Sequence, residues 1–161
     1  MWGEVDKLPG GGPGYLETVI SSTFNLRIDR FAVINFGAFE NAVDTIGGID
    51  VDVPKAIHDT RYPAGDGVTM VVDIPAGPVH MDGATALIYA RTRHQDGDFA
   101  RMRRQQQVLM AIRDKLLSPE ALPYLPALAE ALYNTVYTDL TLDDMGLLGC
   151  VAPQINREAI L

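Results

Sequence analysis

Apolar residues recur at helical spacing in several segments of the chain and form short continuous runs in others. The helical spacing is clear at Tyr15, Val19 and Phe24, where it predicts a first helix. The same pattern, together with capping residues such as Asp98 and Thr141, predicts further helices downstream. The predicted helices cover about residues 14–25, 38–46, 83–90, 99–117, 118–136 and 141–152.

Strands are predicted where apolar residues form short runs or alternate with polar ones, as in FAVINF and IDVDVP. FAVINF is predicted to be buried and IDVDVP to be half-exposed. The predicted strands cover about residues 31–36, 49–53 and 68–75. The segments predicted to be loops or turns are about 1–13, 55–67 and 76–83. Asp59 and Tyr62, in the sequence HDTRYP, are therefore interpreted as residues of a surface loop.

Strands mixed with helices predict an α/β layered domain of the mixed α+β class. We expect a three-layer α–β–α sandwich around a central mixed sheet. A length of 161 residues favours a single domain over 1–161. Three strands are few for a sheet that must cover four or five helices. We interpret this shortage as a sign that the sheet is incomplete at its N-terminal end.

Composition and charge exclude several classes of protein. The chain is 47% hydrophobic and 21% charged, which is typical of a globular domain. Its net charge of −8 argues against a general nucleic-acid binder. Cys150 is its one cysteine, so an internal disulfide and a cysteine zinc site are excluded. His58, His80 and His94 lack ligand spacing, and we predict no metal site from them. The sequence contains no run of 18 apolar residues, so we predict no membrane span from it.

Positive charge is concentrated in one segment, YARTRHQDGDFARMRRQQQ, at residues 89–107. Five arginines and two aspartates between positions 91 and 104 give that window a charge of +3 in an acidic chain. Guanidinium groups are planar, permanently charged and able to grip phosphate through two parallel hydrogen bonds. Because like charges repel, such a cluster favours a ligand with several negative oxygens, such as a pyrophosphate. The alternative is a solvated helix face, which such arginine spacing often marks.

Spacing predicts that most of these groups face one region. Arg91 and Arg93 lie two residues apart in an extended segment, so they point the same way. On the next helix, spacings of three and four place three residues on one face: Arg101, Arg104 and Gln105. Arg103 is rotated towards solvent. Asp98, at the helix start, is predicted to cap the first turn and to hold a loop arginine in place.

The arginine segment also resembles the signature of a protein family. Together with the preceding VHMDGATAL, it is similar to the signature of the LytR–CpsA–Psr family, whose bacterial members are also called cell envelope-related transcriptional attenuators. INFGAFENAVDTIGGIDVDVP and TDLTLDDMGLLG resemble two further family segments. Met81 stands where the family usually has leucine. The signature positions that match are Gly77, Gly83, Ala86, Leu87, Tyr89, Arg91, Arg93, Asp98, Arg101, Arg104, Gln105 and Gln106.

The resemblance implies a phosphotransferase of the bacterial cell envelope, on the outer face of the cytoplasmic membrane. Such proteins transfer a glycopolymer from a polyprenyl pyrophosphate carrier to peptidoglycan, with Mg²⁺ assisting and the lipid tail in an apolar pocket. By position, the resemblance implies catalytic roles for Arg93, Arg101 and Asp98. It implies pyrophosphate binding by Arg91, Arg93, Arg101, Arg104 and Gln105. The partners it implies are the lipid-linked glycopolymer, peptidoglycan and, through the lipid carrier, the membrane surface.

The sequence also departs from the family pattern. Family members begin with a membrane anchor, followed by aspartate-rich strands that supply the magnesium ligands, and neither occurs in this sequence. The resemblance therefore implies a chain that lacks the N-terminal part of the domain, and binding without turnover is an alternative to catalysis. A nucleic-acid-binding attenuator is a third alternative, which the acidic charge disfavours. An unpaired sheet edge would favour a homo-oligomer.

Overall fold

The computed structural model describes residues 11–93, 95–133 and 135–154. Its helices are α1 (Gly11–Phe24), α2 (Phe36–Thr45), α3 (Gly83–Arg91), α4 (Gly97–Leu117), α5 (Leu125–Tyr133) and α6 (Leu142–Val151). Its strands are β1 (Ala32–Ile34), β2 (Ile49–Val53), β3 (Ile57–Gly65), β4 (Val68–Ile74), β5 (Gly77–Met81) and β6 (Val136–Thr138). Short 3₁₀ turns follow α4 and α6, at Pro119–Tyr124 and Ala152–Gln154. Each predicted helix and strand thus overlaps an observed one, and the predicted mixed α+β class is confirmed.

The strands pair as three antiparallel ladders of two strands each. β1 pairs with β6, β2 with β5, and β3 with β4. Among the described residues these ladders stand in place of the predicted central mixed sheet. β1 and β2 each pair with one neighbour there, so the layering around a single sheet differs from the prediction.

Three predicted loop or helix segments contain strands instead. Residues 55–67 hold β3, which forms a hairpin with β4 and buries Ile57, Asp59 and Tyr62. Pro and Gly near the hairpin disguise this strand, because both residues usually mark loops. β5 lies in the predicted turn region, and β6 occupies the end of a predicted helix. The predicted loop 1–13 is helical from Gly11 onwards, and its residues 1–10 lie outside the described part.

The burial of β1 was predicted wrongly. Val33 and Ile34 are 50% and 43% exposed, although the run FAVINF is apolar. β2 follows its prediction, because its residues alternate between buried and exposed. An apolar strand normally reports a covered face. β1 therefore presents an apolar surface in the part of the molecule that the structure describes.

The buried core lies between β2, β5 and helices α2, α3 and α4. Its most enclosed side chains are Val43, Ile46, Ile49, Val53, Met81, Tyr89 and Val108. α2 ends at Thr45, within one residue of its predicted end. Gly47 and Gly48 follow in the left-handed region, at φ 79° and 81°. The amide of Gly48 donates to the carbonyl of Val43 at 2.9 Å, which turns the chain directly into β2.

A close helix contact fixes the position of α3. A Cβ on Gly83 would lie 2.2 Å from the carbonyl oxygen of Glu40, so α3 approaches the backbone of α2 as no other residue would allow. The Gly83 amide donates to the Asp44 carboxylate at 2.7 Å, and the Asp82 side chain caps the helix by accepting from the Thr85 amide. This anchorage sets where Arg91, the last residue of α3, points.

Among the remaining helices, α5 packs against α2, and its Leu128 contacts the core. The predicted start of α6 is confirmed, because Thr141 and Asp144 form a capping box there. Asp144 also accepts from the Nε of Arg30 at 2.8 Å, so α6 is tied to the segment before β1. Across residues 11–93, 95–133 and 135–154, none of the helices is both long enough and apolar enough to cross a membrane.

Candidate functional site

Most of the predicted arginine cluster meets in one hollow, which we call the arginine pocket. It has a volume of about 400 Å³. Its lining residues are Phe36, Asp59, Tyr62, Pro63, Arg91, Thr92, Arg93, Arg101 and Gln105. α3 ends at Arg91, the following loop carries Arg93, and α4 carries Arg101. Three of the four arginines predicted to converge therefore do so, with Gln105 beside them.

Arg91 is held by two aromatic rings. Its guanidinium carbon lies 4.3 Å from the centroid of the Phe36 ring and 5.7 Å from that of Tyr62. Both distances are within the range of cation–π attraction. Burial raises the pKa of the Tyr62 phenol, while Arg91 acts in the opposite direction. Tyr62 therefore remains a neutral hydroxyl at physiological pH, and the two rings fix the arginine in a half-buried position.

Asp59 forms part of the pocket wall. Its carboxylate is 1% exposed, accepts from the Thr92 hydroxyl at 2.5 Å and accepts from the Arg61 amide at 2.9 Å. These bonds join β3 to the loop that carries Arg93. A buried carboxylate also offsets part of the positive charge that the arginines concentrate. The interpretation of Asp59 and Tyr62 as surface-loop residues was therefore wrong, because both are buried on a strand.

Arg101 has a partner on one side of its guanidinium group. A terminal nitrogen lies 3.3 Å from the Asp98 carboxylate, one helical turn away. The Nε atom is buried and has no hydrogen-bond partner among the described residues. Buried donors are normally paired. A donor of this kind at the pocket wall is what an incoming anionic oxygen would satisfy.

Asp98 acts differently from its predicted role. α4 begins at Gly97, so Asp98 lies within the first turn and Asp96 holds the capping position. Asp96 makes no side-chain capping bond, because its carboxylate binds Arg104. Asp98 does pair with an arginine, but this is Arg101 of the same helix and not an arginine of the loop.

Arg104 departs from its predicted place in the cluster. It is 5% exposed, and its guanidinium binds both carboxylate oxygens of Asp96 at 3.0 and 2.7 Å. Its Nε donates to the carbonyl of Tyr89 at 3.0 Å, and its remaining terminal nitrogen donates to the carbonyl of Thr92. These bonds account for all three of its nitrogens, so Arg104 joins α4 to the end of α3 and does not line the arginine pocket.

Histidine and carboxylate side chains pair but do not cluster. His80 Nδ1 lies 2.8 Å from Asp50, and His58 contacts Asp73; His94 lies outside the described residues. Within residues 11–93, 95–133 and 135–154, no three His, Cys, Asp or Glu side chains are placed to hold a metal ion.

A larger apolar hollow, about 740 Å³, lies between α1 and the ladder of β1 and β6. Leu16, Ile20, Phe31, Val33 and Tyr137 are among its lining residues. The sequence pattern did not reveal this hollow, because it depends on the contact between elements that are distant along the chain. The short segment from β1 to the start of α2 connects the two sites, because Val33 lines the apolar hollow and Phe36, three positions later, lines the arginine pocket.

The chain is similar to known proteins over almost its whole length. The sequence model of the LytR_cpsA_psr family matches residues 8–160. The polyisoprenyl-teichoic acid–peptidoglycan teichoic acid transferase TagV of Bacillus subtilis is 32% identical over 137 residues, covering 84% of this chain and 34% of TagV. The chain spans between about a third and two fifths of the length of such curated relatives.

Solved structures agree with the sequence comparison. The crystal structure of B. subtilis TagV superposes with a TM-score of 0.71 at 28% identity, covering 94% of this chain and 56% of that one. A structure of TagT bound to LIIa-WTA superposes with a TM-score of 0.64 at 26% identity, covering 88% of this chain and 52% of that one.

Proposed function

This chain belongs to the LytR_cpsA_psr family, and we propose that it supplies the pyrophosphate-binding part of a phosphotransferase that moves a lipid-linked glycopolymer onto peptidoglycan. The observation that carries the proposal is the convergence of Arg91, Arg93, Arg101 and Gln105 on one hollow. A similar protein, TagV, is named as a teichoic acid transferase acting on peptidoglycan. The proposed place of action is the cell envelope, on the outer face of the cytoplasmic membrane.

The arginine pocket suits a pyrophosphate because it offers charge and donors on several sides. The Arg93 side chain is exposed and makes no hydrogen bond or salt bridge among the described residues, so its guanidinium group is available to a phosphate. Arg101 adds its unpaired Nε, and Arg91 adds a guanidinium already oriented by two rings. Phosphoryl transfer depends mainly on positioning and on neutralising charge at the phosphate oxygens. Arginine stays protonated at neutral pH, so these side chains bind and stabilise charge and do not accept a proton.

The apolar hollow is the proposed place for the polyprenyl tail. It lies beside β1, and its lining residues are almost entirely apolar. Phe36 in the arginine pocket follows Val33 in this hollow by three positions, which is a backbone span of roughly 10 Å. A single lipid pyrophosphate could therefore occupy both sites, with its charged head among the arginines and its first isoprene units against Leu16 and Ile20.

Binding without turnover is the second candidate, and the chemistry of the pocket side chains favours it. The arginines that line the arginine pocket cannot activate a nucleophile by taking its proton. Mg²⁺ would supply additional neutralisation of phosphate charge if another part of the protein held it. Incubating the purified chain with a lipid-linked glycopolymer and peptidoglycan separates the candidates, because ligation product indicates transfer and bound donor without product indicates a binding module.

The binding proposal is tested with farnesyl pyrophosphate and isothermal titration calorimetry. Arg93→Ala and Arg101→Ala should each weaken binding about tenfold or more, because a charge-assisted hydrogen bond is lost. Arg27→Ala is the matched control: its side chain is 86% exposed and pairs with Asp29 away from the pocket. Unchanged affinity in both pocket variants would rule out the arginine pocket as the pyrophosphate site.

A further inference from the structure

α4 borders a further hollow, on a different side from the arginine pocket, and we call it the lateral pocket. Its volume of about 410 Å³ matches that of the arginine pocket. The segment joining β2 to β3 contributes Lys55, and the first residue of β3 contributes Ile57. The helix α4 contributes Ala100, Arg103 and Gln106. The proposed transfer of a polymer assigns no role to these side chains.

Helical spacing explains how one helix serves both hollows. Arg101 and Gln105 are four residues apart and share the face that lines the arginine pocket. Ala100, Arg103 and Gln107 are three and four residues apart and share a face that lines the lateral pocket. The consecutive glutamines of the signature are therefore divided, with Gln105 in one hollow and Gln106 in the other.

The buried side chain of Arg104 lies between the two hollows, since it binds Asp96 in the wall of the lateral pocket and the carbonyl of Thr92, a residue of the arginine pocket. The Tyr89 hydroxyl, in the wall of the lateral pocket, donates to Gln107 at 2.7 Å. Ligands in the two hollows would thus lie on opposite sides of one buried arginine.

The lateral pocket is positively charged although the chain as a whole is acidic. Among the described residues, Lys55 and Arg103 have no carboxylate partner. Asp96 is the acidic residue of the lining, and Arg104 already neutralises it at 2.7 Å. Gln106 adds an amide that can both donate and accept. Ile57 and Ala100 add apolar surface against which the C–H face of a sugar ring could pack.

We infer that the lateral pocket is a binding site for a hydroxyl-rich anion, that is, a saccharide or polyol that carries a phosphate or carboxylate group. Lys55 and Arg103 would hold the anionic group, and Gln106 would bind hydroxyl groups. The lateral pocket would then be a second substrate site, on the other side of Arg104 from the pyrophosphate. This use of the pocket rests on the proposed function. Two sources share this chemistry: the phosphate-bearing units of the transferred polymer and the carboxylate-bearing sugars of the acceptor.

The test titrates the full chain with three probes, followed by calorimetry and by amide chemical shifts in NMR. A short glycerol phosphate oligomer represents the polymer, N-acetylmuramic acid represents the acceptor, and an uncharged N-acetylglucosamine disaccharide is the matched neutral sugar. We expect at least one anionic probe to bind and to bind more tightly than the neutral one. The anionic probe that binds more tightly identifies the source.

Variants then locate the binding. The double variant Lys55→Ala, Arg103→Ala should weaken the anionic probe about tenfold or more and keep inorganic pyrophosphate binding within twofold. Arg93→Ala should weaken inorganic pyrophosphate binding about tenfold or more and keep binding of the anionic probe within twofold. Both altered side chains are exposed, and an unchanged thermal midpoint verifies that the double variant is folded. Failure of both anionic probes to bind, or equal affinity in the double variant, would overturn the lateral-pocket inference. If the unmodified chain does not bind pyrophosphate, the result counts against the proposed function alone.

Discussion

The guanidinium carbon of Arg91 lies 4.3 Å above the centroid of the Phe36 ring. Phe36 begins α2 and Arg91 ends α3, so this contact joins two helices at the rim of the arginine pocket. An arginine in that position is oriented before a ligand arrives. Orientation in advance lowers the entropy lost on binding.

Phe36→Ala should therefore weaken farnesyl pyrophosphate binding without changing any charge. A cation–π contact contributes about 0.5–2 kcal/mol, which corresponds to a loss of affinity of roughly two- to thirtyfold. Phe99→Ala is the matched control, because Phe99 is 85% exposed and does not line the pocket. Calorimetry measures both variants, and equal affinity in Phe36→Ala and the unmodified chain would show that the ring does not orient Arg91.

Arg104→Ala is expected to reduce stability. Its removal leaves Asp96 without its partner and frees the carbonyls of Tyr89 and Thr92. The Asp96 side chain is 28% exposed, so water can replace part of the lost pairing, and the total loss should be about 2–3 kcal/mol. Urea denaturation should show this loss, whereas Arg93→Ala should stay within about 0.5 kcal/mol of the unmodified chain. A stable Arg104→Ala variant with weakened pyrophosphate binding would instead support the sequence-based prediction that Arg104 is a ligand.

Gly83→Ala should be strongly destabilising. The added Cβ would lie 2.2 Å from the Glu40 carbonyl oxygen, which would force α3 away from α2 and move Arg91. Gly149 in α6 is a matched helical control, since a Cβ there meets no atom within 4 Å. Gly149→Ala should be neutral or stabilising by up to about 1 kcal/mol. Thermal melts should show a lowered midpoint for Gly83→Ala and an unchanged or raised midpoint for Gly149→Ala.

Asp144 predicts a pH dependence of stability. Arg30 first, and then the Thr141 amide and hydroxyl, lower the pKa of this carboxyl below its ordinary value of 3.8. The resulting stabilisation is complete above the unfolded-state pKa and is lost as the pH falls through the lower folded-state pKa. Asp144→Asn should therefore be less stable than the unmodified chain at pH 7.

The stability difference between Asp144→Asn and the unmodified chain should shrink steadily as the pH falls below about 4. Denaturation at a series of pH values measures this difference. Asp143→Asn is the control, because the Asp143 side chain makes no hydrogen bond or salt bridge among the described residues. A difference that stays constant across the acid range would exclude the Arg30 and Thr141 contacts as its cause.

Sequence spacing predicted much of the arginine pocket because helical periodicity is a local property. Arg101 and Gln105 lie four residues apart, so any α-helix places them side by side. The same rule placed Arg104 with them, but its direction depends on Asp96 and on the carbonyls of Tyr89 and Thr92. Those acceptors come together only through the packing of α3 against α4. Sequence periodicity cannot report that contact.

The aromatic and acidic parts of the pocket were missed for a related reason. Asp59 and Tyr62 lie on β3, whose Pro63 and Gly65 resemble loop residues. Their burial depends on pairing with β4 and on contact with the loop after α3. The strand signal in the sequence is weak here, because four polar residues, His58 to Arg61, separate Ile57 from Tyr62. Phe36 likewise gave a strand signal, because it ends an apolar run, although it begins α2.

The division of α4 between two hollows limits how its length can vary. Deleting one residue between Arg101 and Gln105, such as Met102, would turn every later side chain by about 100° relative to Arg101. Gln106 would then take the place of Gln105 beside the pyrophosphate site. Gln105 would take the buried place of Arg104, so the ion pair with Asp96 would be lost. Insertions or deletions in this stretch should therefore be tolerated only in steps close to a whole turn, three or four residues at a time.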